Sequence, residues 1–523
     1  MKIYFRNFKH NSVILITFFS ICSCSDYFEL ERPVQYPWQT ASELELAVRE
    51  GYYQLCNQDW ENPIGTLSLM HLGQSDLIQK LPESMHLGTT YCDQFYNRAY
   101  TTAPTDKEVD WCFKYLYYII TSDNAALKLL EDAEANSIDP FEGMTEADRA
   151  LVKRFRGELY FTRAVAYWYL ARMYAPPFDP DGNNNSRHFV LRTNYVNTAT
   201  ELKSPQLGSV AEVWKLIQDD FEKAKDLLPE SYVTTEVQPK ARANRFAASA
   251  MLCRVYFITG QHDKAEKECD YILGSDMYNL TEEPIVAFNR IGASDAKEVI
   301  WEIAFTTAVS TGRIDKIPGI FGKNWYNSNV NNSQYTMAYS ALKNIGWMTD
   351  GQNGNFSEIP AARNDLRYTQ LYRRFEPGGD PNTQFNPSKP HVWIDKYFRS
   401  SHSFGEYSNR PMIRLAEIYL TRSILRFNGG DKTGAAKDVN EVRRRAGLVD
   451  IPEILLTAEN IHNERIKELA SEHGDRIYYL IGLRLPLGIG DRDPVQFSPV
   501  MPPYSDYYWD VPLQERQQNQ AYH

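Results

Sequence analysis

Two stretches of this chain repeat one pattern of small, aromatic and glycine residues at the same spacing. Residues 243–273 read ANRFAASAMLCRVYFITGQHDKAEKECDYIL, and residues 414–446 read RLAEIYLTRSILRFNGGDKTGAAKDVNEVRRRA. In both, a helical run ends at a glycine, Gly260 or Gly430, and an alanine five residues later opens a second amphipathic run. This pattern is typical of a helix–turn–helix repeat of the tetratricopeptide type, which is about 34 residues long. The spacing therefore predicts pairs of helices that stack on one another.

Further helices are predicted by apolar residues that recur with the helical period. Residues 109–134 form a long apolar run, residues 147–174 contain one glycine and no proline, and residues 210–228 are amphipathic. The second half of the 147–174 run is apolar on most faces, which predicts a helix that is buried on most sides. The predicted fold class is therefore mainly α, with tetratricopeptide-like helix pairs forming a scaffold.

Residues 281–408 have a different composition, rich in Asn, Gly, Ser, Pro and aromatic residues. This composition predicts a long irregular loop-rich region with few short strands, for which 298–305 and 391–398 are the candidates. A loop region of this length is functional or disordered, and its aromatic content argues against simple disorder. We therefore expect one domain with three parts: an N-terminal helical half (24–280), a ligand-facing loop region (281–408) and a C-terminal helical half (409–523).

The N-terminal residues predict export and a lipid anchor. Residues 1–10 carry three basic residues and no acid, and an apolar run follows at 13–22 that is too short to span a bilayer. Small residues precede Cys24, as in the lipobox of bacterial lipoproteins, where the signal is removed before a cysteine that is then acylated. Cys22 follows a bulky isoleucine and fits this pattern less well. We predict a signal peptide over 1–23 and a lipid on Cys24; an ordinary secretory signal is the alternative.

The charge and the cysteines exclude several classes of site. The 56 basic and 67 acidic side chains give a net charge of −11, which argues against binding nucleic acid through its phosphates. The cysteines after Cys24 are widely spaced, without a CxxC motif or a Cys/His cluster, so no zinc site is predicted. One disulfide is conceivable, but the sequence cannot pair it. No cofactor and no metal are expected.

Catalysis is the main rival to binding. Glu464, Glu468 and Glu472 recur at i, i+4 and i+8, so a helix would place them on one face. Paired carboxylates can perform acid/base chemistry on sugars. Carboxylates along one helix are more often a solvated face or partners for basic residues, and Arg465, Lys467 and Arg476 are near in sequence. The chain has no Gly-x-Ser-x-Gly, His-Glu-x-x-His or phosphate-loop motif. We therefore expect a protein that is not an enzyme.

Two segments, 83–101 and 322–347, combine aromatic residues with polar and turn residues. A sugar ring has an apolar face that stacks on Trp or Tyr and a polar rim that bonds to amides, carboxylates and guanidinium groups. The candidate ligand-binding residues are Tyr91, Asp93, Tyr96, Asn97, Arg98, Asn324, Trp325, Tyr326 and Tyr335. Tyr96, Trp325 and Tyr326 are the first choices because polar residues surround them. Core packing is the alternative for each aromatic residue.

Five blocks, in this order and at this spacing, make the chain resemble the SusD/RagB family of outer-membrane lipoproteins of Bacteroidetes. They are CSDYFELERP (24–33), RGELYFTRAVAYWYLARMYAPPF (156–178), RPMIRLAEIYLTRSILRFNGGDKTGAAKDVNEVRRRAGL (410–448), ERIKELASEHGDRIYYLIGLR (464–484) and DVPLQERQQN (510–519).

The resemblance implies helix pairs of the tetratricopeptide type, an irregular face of loops and a lipid-anchored location on the surface of the outer membrane. It also implies a partner, a SusC-like TonB-dependent transporter for which the protein serves as a lid. Many members bind glycans through loops in the same two segments, and some bind peptides. We therefore expect a glycan ligand, with a peptide ligand as the alternative; a glycan-active enzyme and a scaffold without a ligand are less favoured.

Overall fold

The computed structural model describes Trp38 and residues 40–55, 63–80, 93–100, 107–135, 144–196, 205–232, 240–288, 296–304, 335–352, 355–375, 390–396 and 409–523. The predicted signal peptide and Cys24 lie outside these residues. Over the described ranges the chain forms fifteen α-helices and ten short strands, which confirms the mainly α fold class.

The helices before the loop-rich region are α1 (Ala41–Leu55), α2 (Pro63–Gln74), α3 (Asp93–Tyr96), α4 (Lys107–Ala135), α5 (Glu146–Tyr174), α6 (Val210–Leu227), α7 (Arg245–Ile258) and α8 (His262–Leu273). The later helices are α9 (Tyr339–Asn344), α10 (Leu366–Leu371), α11 (Leu415–Asn428), α12 (Lys432–Arg445), α13 (Ala458–Leu469), α14 (Asp475–Gly482) and α15 (Leu513–Gln518). The strands are β1 (Ile78–Lys80), β2 (Arg187–Val190), β3 (Leu207–Ser209), β4 (Val299–Ile303), β5 (Tyr335–Met337), β6 (Met348–Asp350), β7 (Phe356–Glu358), β8 (Tyr372–Phe375), β9 (His391–Ile394) and β10 (Arg410–Arg414).

The long helices pack on one another largely in chain order. Helix α1 contacts α4 and α5, and the contacts continue from α4 through α5, α6 and α7 to α8. Across the loop-rich region, α8 packs on α11, which also contacts α12 and α13. The two predicted helix pairs are thus α7–α8 and α11–α12. Their turns place Gly260 and Gly430 at φ of +75° and +91°, a conformation that favours glycine.

Helix α5 lies at the centre of this stack. It begins with a capping box between Thr145 and Asp148, and every residue from 157 to 171 is buried, as its apolar pattern predicts. Its Trp168 ring meets the Trp214 ring of α6 edge to face, with centroids 5.4 Å apart. The buried Arg163 also forms a bidentate ion pair with Asp220 of α6. Apolar packing and paired charge together fix α5 against α6.

Short antiparallel ladders tie the loop-rich region to the helical stack. Strand β4 pairs with β10, which joins the two ends of that region, and β1 pairs with β5, which joins it to the N-terminal half. Strands β6–β7 and β8–β9 pair within the region, and β2–β3 pair before it. The predicted strands at 298–305 and 391–398 are β4 and β9, each shorter than expected.

The described helices include none that is both long and apolar enough to cross a membrane. Among the described cysteines, Cys112, Cys253 and Cys269 are buried free thiols. The Sγ atoms of Cys253 and Cys269 lie 3.3 Å apart between α7 and α8. This is the one thiol pair that the described residues bring together.

Candidate functional site

The β1–β5 ladder brings the two predicted ligand-binding segments to one edge. Lys80, the last residue of β1, pairs with Tyr335, the first residue of β5. Because the strands are antiparallel, the chain after Lys80 and the chain before Tyr335 join the ladder at the same end. Lys80 comes shortly before the predicted segment 83–101, and Tyr335 lies within the predicted segment 322–347. The candidate site is therefore built at this end of the ladder, beside helix α3.

Tyr96, at the end of α3, lies at the centre of the described part of the site. Its half-buried ring packs against the ring of Tyr335, with centroids 5.5 Å apart and planes inclined by 50°. The guanidinium carbon of Arg492 lies 4.2 Å from the centroid of the Tyr96 ring. Burial of Arg492, together with the nearby charge of Arg98, lowers the pKa of its guanidinium to about 10. Tyr96 is thus held by an aromatic ring and a cation.

Tyr335 and Arg98 lie in supporting positions next to Tyr96, and their contact with a ligand stays a prediction. Tyr335 is fully buried, because it lies in a ladder strand and packs on Tyr96. The Arg98 guanidinium donates to the backbone carbonyls of Gln74 and Gly488, and more weakly to those of Leu487 and Ser498. These bonds occupy its donors and fasten α3 to α2 and to the C-terminal part of the chain.

The segment 489–493 was not predicted as part of the site, yet it supports both halves of it. Arg492 donates to the carbonyl of Tyr96 at 2.9 Å and to those of Ser75 and Gly73. Asp491 accepts from the backbone N–H groups of Tyr339 and Ser340, at the start of α9. The sequence signal is the Asp-Arg-Asp run at 491–493, but its partners lie 396 and 152 positions away in the chain.

The remaining candidates divide into three groups. Asn97 is exposed directly after α3. Asp93 begins α3, but its side chain is not among those described. Tyr91, Asn324, Trp325 and Tyr326 lie outside the described residues. Their part in ligand binding stays a prediction.

Glu464, Glu468 and Glu472 are not a solvated helix face. Helix α13 ends at Leu469, so Glu472 follows a turn, and all three carboxylates are buried. Glu464 pairs with Arg367 at 2.6 Å and also with Arg443 and Lys467. Glu468 pairs with Arg414 and Arg445, and Glu472 pairs with Arg414 and Lys396. The nearby Arg465 and Arg476 bind other carboxylates, those of Asp475 and Asp76.

The charges of this cluster keep its carboxylates ionised. Burial alone would raise the pKa of Glu464, but Arg367 and the neighbouring cations lower it to about 2. Burial opposes ionisation of Glu468 in the same way, and the charges of Arg445 and Arg414 prevail and lower its pKa. A general acid needs a proton to give near neutral pH, and these groups hold none. The cluster is a buried network of ion pairs in the scaffold.

In the described part of the chain, no three His, Cys, Asp or Glu side chains converge to hold a metal ion.

A stack of tetratricopeptide-like helix pairs, with a loop-rich region tied to it by short ladders, defines a helical-repeat scaffold. Two family models match this chain. One, described as "Starch-binding associating with outer membrane", matches residues 68–257, and the other, described as "SusD family", matches residues 313–479. The chain belongs to the SusD/RagB family.

Curated relatives agree with this assignment. The SusD-like protein P2 of Formosa agariphila is 23% identical over 536 aligned residues, which cover 98% of each chain. The starch-binding protein SusD of Bacteroides thetaiotaomicron is 26% identical over 66% of this chain and 64% of its own length.

Solved structures of this superfamily share the fold. A SusD superfamily protein of Bacteroides thetaiotaomicron aligns with a TM-score of 0.72 at 17% identity, covering 92% of this chain and 98% of its own. A laminarin-binding SusD-like protein aligns with a TM-score of 0.66 at 20% identity, over 92% of this chain and 98% of its own.

Proposed function

We propose that this protein binds a nutrient oligo- or polysaccharide at the cell surface and delivers it to a TonB-dependent transporter of the outer membrane. The observation that carries the proposal is the meeting of the two predicted ligand-binding segments beside Tyr96. A half-buried tyrosine held by a ring and a guanidinium offers a rigid surface on which a sugar ring can stack at small entropic cost.

The names of the relatives support the same ligand class. The curated SusD of Bacteroides thetaiotaomicron is a starch-binding protein, and one structural neighbour binds laminarin. Both ligands are neutral glucans, so we propose a neutral glucan or a related neutral glycan for the site beside Tyr96. Asn97 is exposed next to it and supplies an amide that bonds to hydroxyl groups.

Affinity electrophoresis and calorimetry against starch, laminarin and a panel of other neutral glycans test this proposal. We expect at least tenfold weaker binding for Tyr96→Ala, because a stacking ring is lost, and loss of all binding when Trp325→Ala is added. Tyr53→Ala is the matched control, since Tyr53 is an exposed tyrosine on α1, with 41% of its surface accessible. A melting curve for each variant separates lost binding from lost folding.

The alternatives give different results in the same experiment. Binding of peptides, with no neutral glycan bound, would replace the proposed ligand with a peptide. Release of new reducing ends from a bound glycan would point to an enzyme instead. The buried, paired state of Glu464, Glu468 and Glu472 gives no support to that alternative.

Delivery requires a transporter, and family membership is the reason to propose one. Purification from gently solubilised outer membranes should yield a complex with a TonB-dependent β-barrel, and the adjacent gene should encode it. A protein that purifies alone under conditions in which a known SusD–transporter pair stays together would count against the delivery step, while leaving glycan binding intact.

A further inference from the structure

Helices α7 and α8 bring two cysteine side chains together inside the helical scaffold. Cys253 of α7 is 2% exposed, Cys269 of α8 is fully buried, and their Sγ atoms lie 3.3 Å apart. Both thiols are free in the structure. The sulfur atoms of a disulfide are about 2.0 Å apart, so bond formation requires the two Sγ atoms to approach by only about 1.3 Å. Rotation of the side chains can supply a shift of this size.

The residues on both sides of Cys269 hold its helix in register with the neighbouring helices. Glu268 accepts a hydrogen bond from the Ser249 hydroxyl of α7. Asp270 forms an ion pair with Arg422 of α11 at 2.8 Å. Because α8 is tied to one helix just before Cys269 and to another just after it, the approach of the two thiols is a fixed feature of the packing.

The remaining described cysteine does not compete for this pair. Cys112 lies between α4 and α5, where its Sγ is 3.5 Å from the Sδ atom of Met173. Within the described ranges, Cys253 and Cys269 therefore have each other as the sulfur within bonding reach.

We infer that Cys253 and Cys269 form a disulfide in the exported protein. This pairing rests on the surface location in the proposed function, because disulfides persist in oxidising compartments outside the cytoplasm. The S–S bond forms as both S–H bonds break. The two electrons and two protons pass to the disulfide of a thiol–disulfide oxidoreductase, which becomes a pair of thiols.

The bond forms before the helix pair closes. Burial, together with the neighbouring Cys253, raises the pKa of the Cys269 thiol, whereas the thiolate is the form that attacks a disulfide. Packing of α7 on α8 also buries both sulfur atoms, so an oxidoreductase reaches them only during folding. The closed bond joins positions 16 residues apart across the turn at Gly260 and restricts the unfolded chain. Since α8 packs on α11, the bond stiffens a helix pair through which the two helical halves meet.

Trapping of free thiols in protein isolated from outer membranes tests the pairing. The protein is unfolded in urea with N-ethylmaleimide and no reductant, cut with trypsin and analysed by mass spectrometry. The two cysteines of the pair lie in separate tryptic peptides, 246–254 and 268–290, and Cys112 lies in 108–114. We expect the first two peptides to be joined by a disulfide. Peptide 108–114 should carry the maleimide and serves as the internal control.

Thermal unfolding measures what the bond contributes. An oxidised sample of the parent is compared with one that was unfolded and refolded in dithiothreitol, so that the two differ only in the state of their thiols. We expect the reduced sample to melt about 2–5 °C lower. The difference should vanish in Cys253→Ala, which cannot form the bond. It should persist in Cys112→Ala, the matched control, which removes a buried cysteine outside the pair.

The outcomes separate this pairing from the proposed function. Recovery of peptides 246–254 and 268–290 as maleimide adducts overturns the pairing, and so does a link from either peptide to a third cysteine. If fractionation finds the protein in the cytoplasm, the proposed location has failed. Refolding in a glutathione redox buffer then decides the pairing: joined peptides uphold it, and maleimide adducts overturn it. Loss of glycan binding in a protein whose peptides are joined would concern the site beside Tyr96 alone.

Discussion

Arg414 is fully buried among three carboxylates. Its guanidinium pairs with Glu468 at 2.9 Å, with Glu472 at 2.8 Å and with Glu298. Glu298 directly precedes β4, Glu468 lies on α13, and Glu472 lies in the turn after α13. One arginine therefore joins parts of the chain that are far apart in sequence. Removing one partner of a buried ion pair leaves an uncompensated charge in a medium of low polarity.

The Arg414→Met variant should therefore be strongly destabilised. We expect a loss of about 3–5 kcal/mol in the free energy of unfolding, measured by urea denaturation. Arg444→Met is the matched control: Arg444 also pairs with two carboxylates, Glu441 and Asp450, but its side chain is 46% exposed. Its loss should cost no more than about 1 kcal/mol. Equal effects from both variants would show that burial does not set the strength of these pairs.

Glu464 should make stability depend on pH. Its pKa is lowered to about 2 in the folded protein, against about 4.3 in an unfolded chain. Its contribution is therefore complete above the unfolded value and is lost as the pH falls from about 4.3 towards 2. Between pH 5 and pH 3 the parent should lose about 1–2 kcal/mol more than Glu464→Gln does. Parallel stability curves for the two proteins, from urea denaturation at each pH, would contradict this assignment.

At the residue scale, the sequence predicted the helical spacing of the glutamates but not their surroundings. The spacing is a local property, so Glu464 and Glu468 do share α13. Burial depends on Arg367 and Arg414, which reach them from 97 and 54 positions away. The local spacing does not report such distant partners, and for that reason the sequence left open whether the carboxylates form a solvated face or pair with arginines.

At the scale of secondary-structure elements, helices α7 and α14 are in close contact through a glycine. A Cβ atom at Gly482, the last residue of α14, would lie 2.3 Å from two ring carbons of Phe257 on α7. Phe257 also stacks nearly parallel to Tyr479 of α14, with an interplanar angle of 6°. Glycine is needed here because the ring fills the space that any side chain would occupy.

Gly482→Ala should force the two helices apart. We expect a loss of about 1–3 kcal/mol of stability, read from thermal or urea unfolding, as for other overpacked cores. Phe257→Leu removes the ring that the new methyl group meets. The double variant should therefore lose less than the sum of the two single variants, by at least about 0.5 kcal/mol. Strict additivity would mean that Gly482 is required for a reason other than this contact.

The helices were predicted well, because the sequence pattern that indicates a helix is local. The apolar period and the turn glycines place α4 to α8, α11 and α12 within a few residues of their observed ends. The strands are three to five residues long, and β1–β5 and β4–β10 join segments that are far apart in the chain, so the lengths and partners of these strands depend on tertiary contacts. The β1–β5 pair, on which the site depends, had no such local signal.

At the scale of the whole molecule, the candidate site combines parts of the chain that begin far apart. Helix α3 supplies Tyr96, strand β5 supplies Tyr335, and the segment 489–493 supplies Arg492. Composition predicted the first two segments, because aromatic residues among polar ones are unusual in a helical scaffold. Arg492 could not be predicted, because its role exists only after the C-terminal half has folded against the N-terminal half.

Membrane anchoring determines where the whole molecule lies, and it is predicted to depend on one residue, Cys24. If the signal is removed before Cys24 and that cysteine carries two or three acyl chains, the protein is stably held by the membrane, whereas a single chain would bind only marginally. Cys24→Ala should therefore move the protein from the membrane fraction to the soluble fraction and abolish labelling with palmitate. Cys22→Ala is the matched control and should leave both unchanged, because Cys22 departs with the signal. Palmitate that still enters the Cys24→Ala protein would place the anchor on another residue.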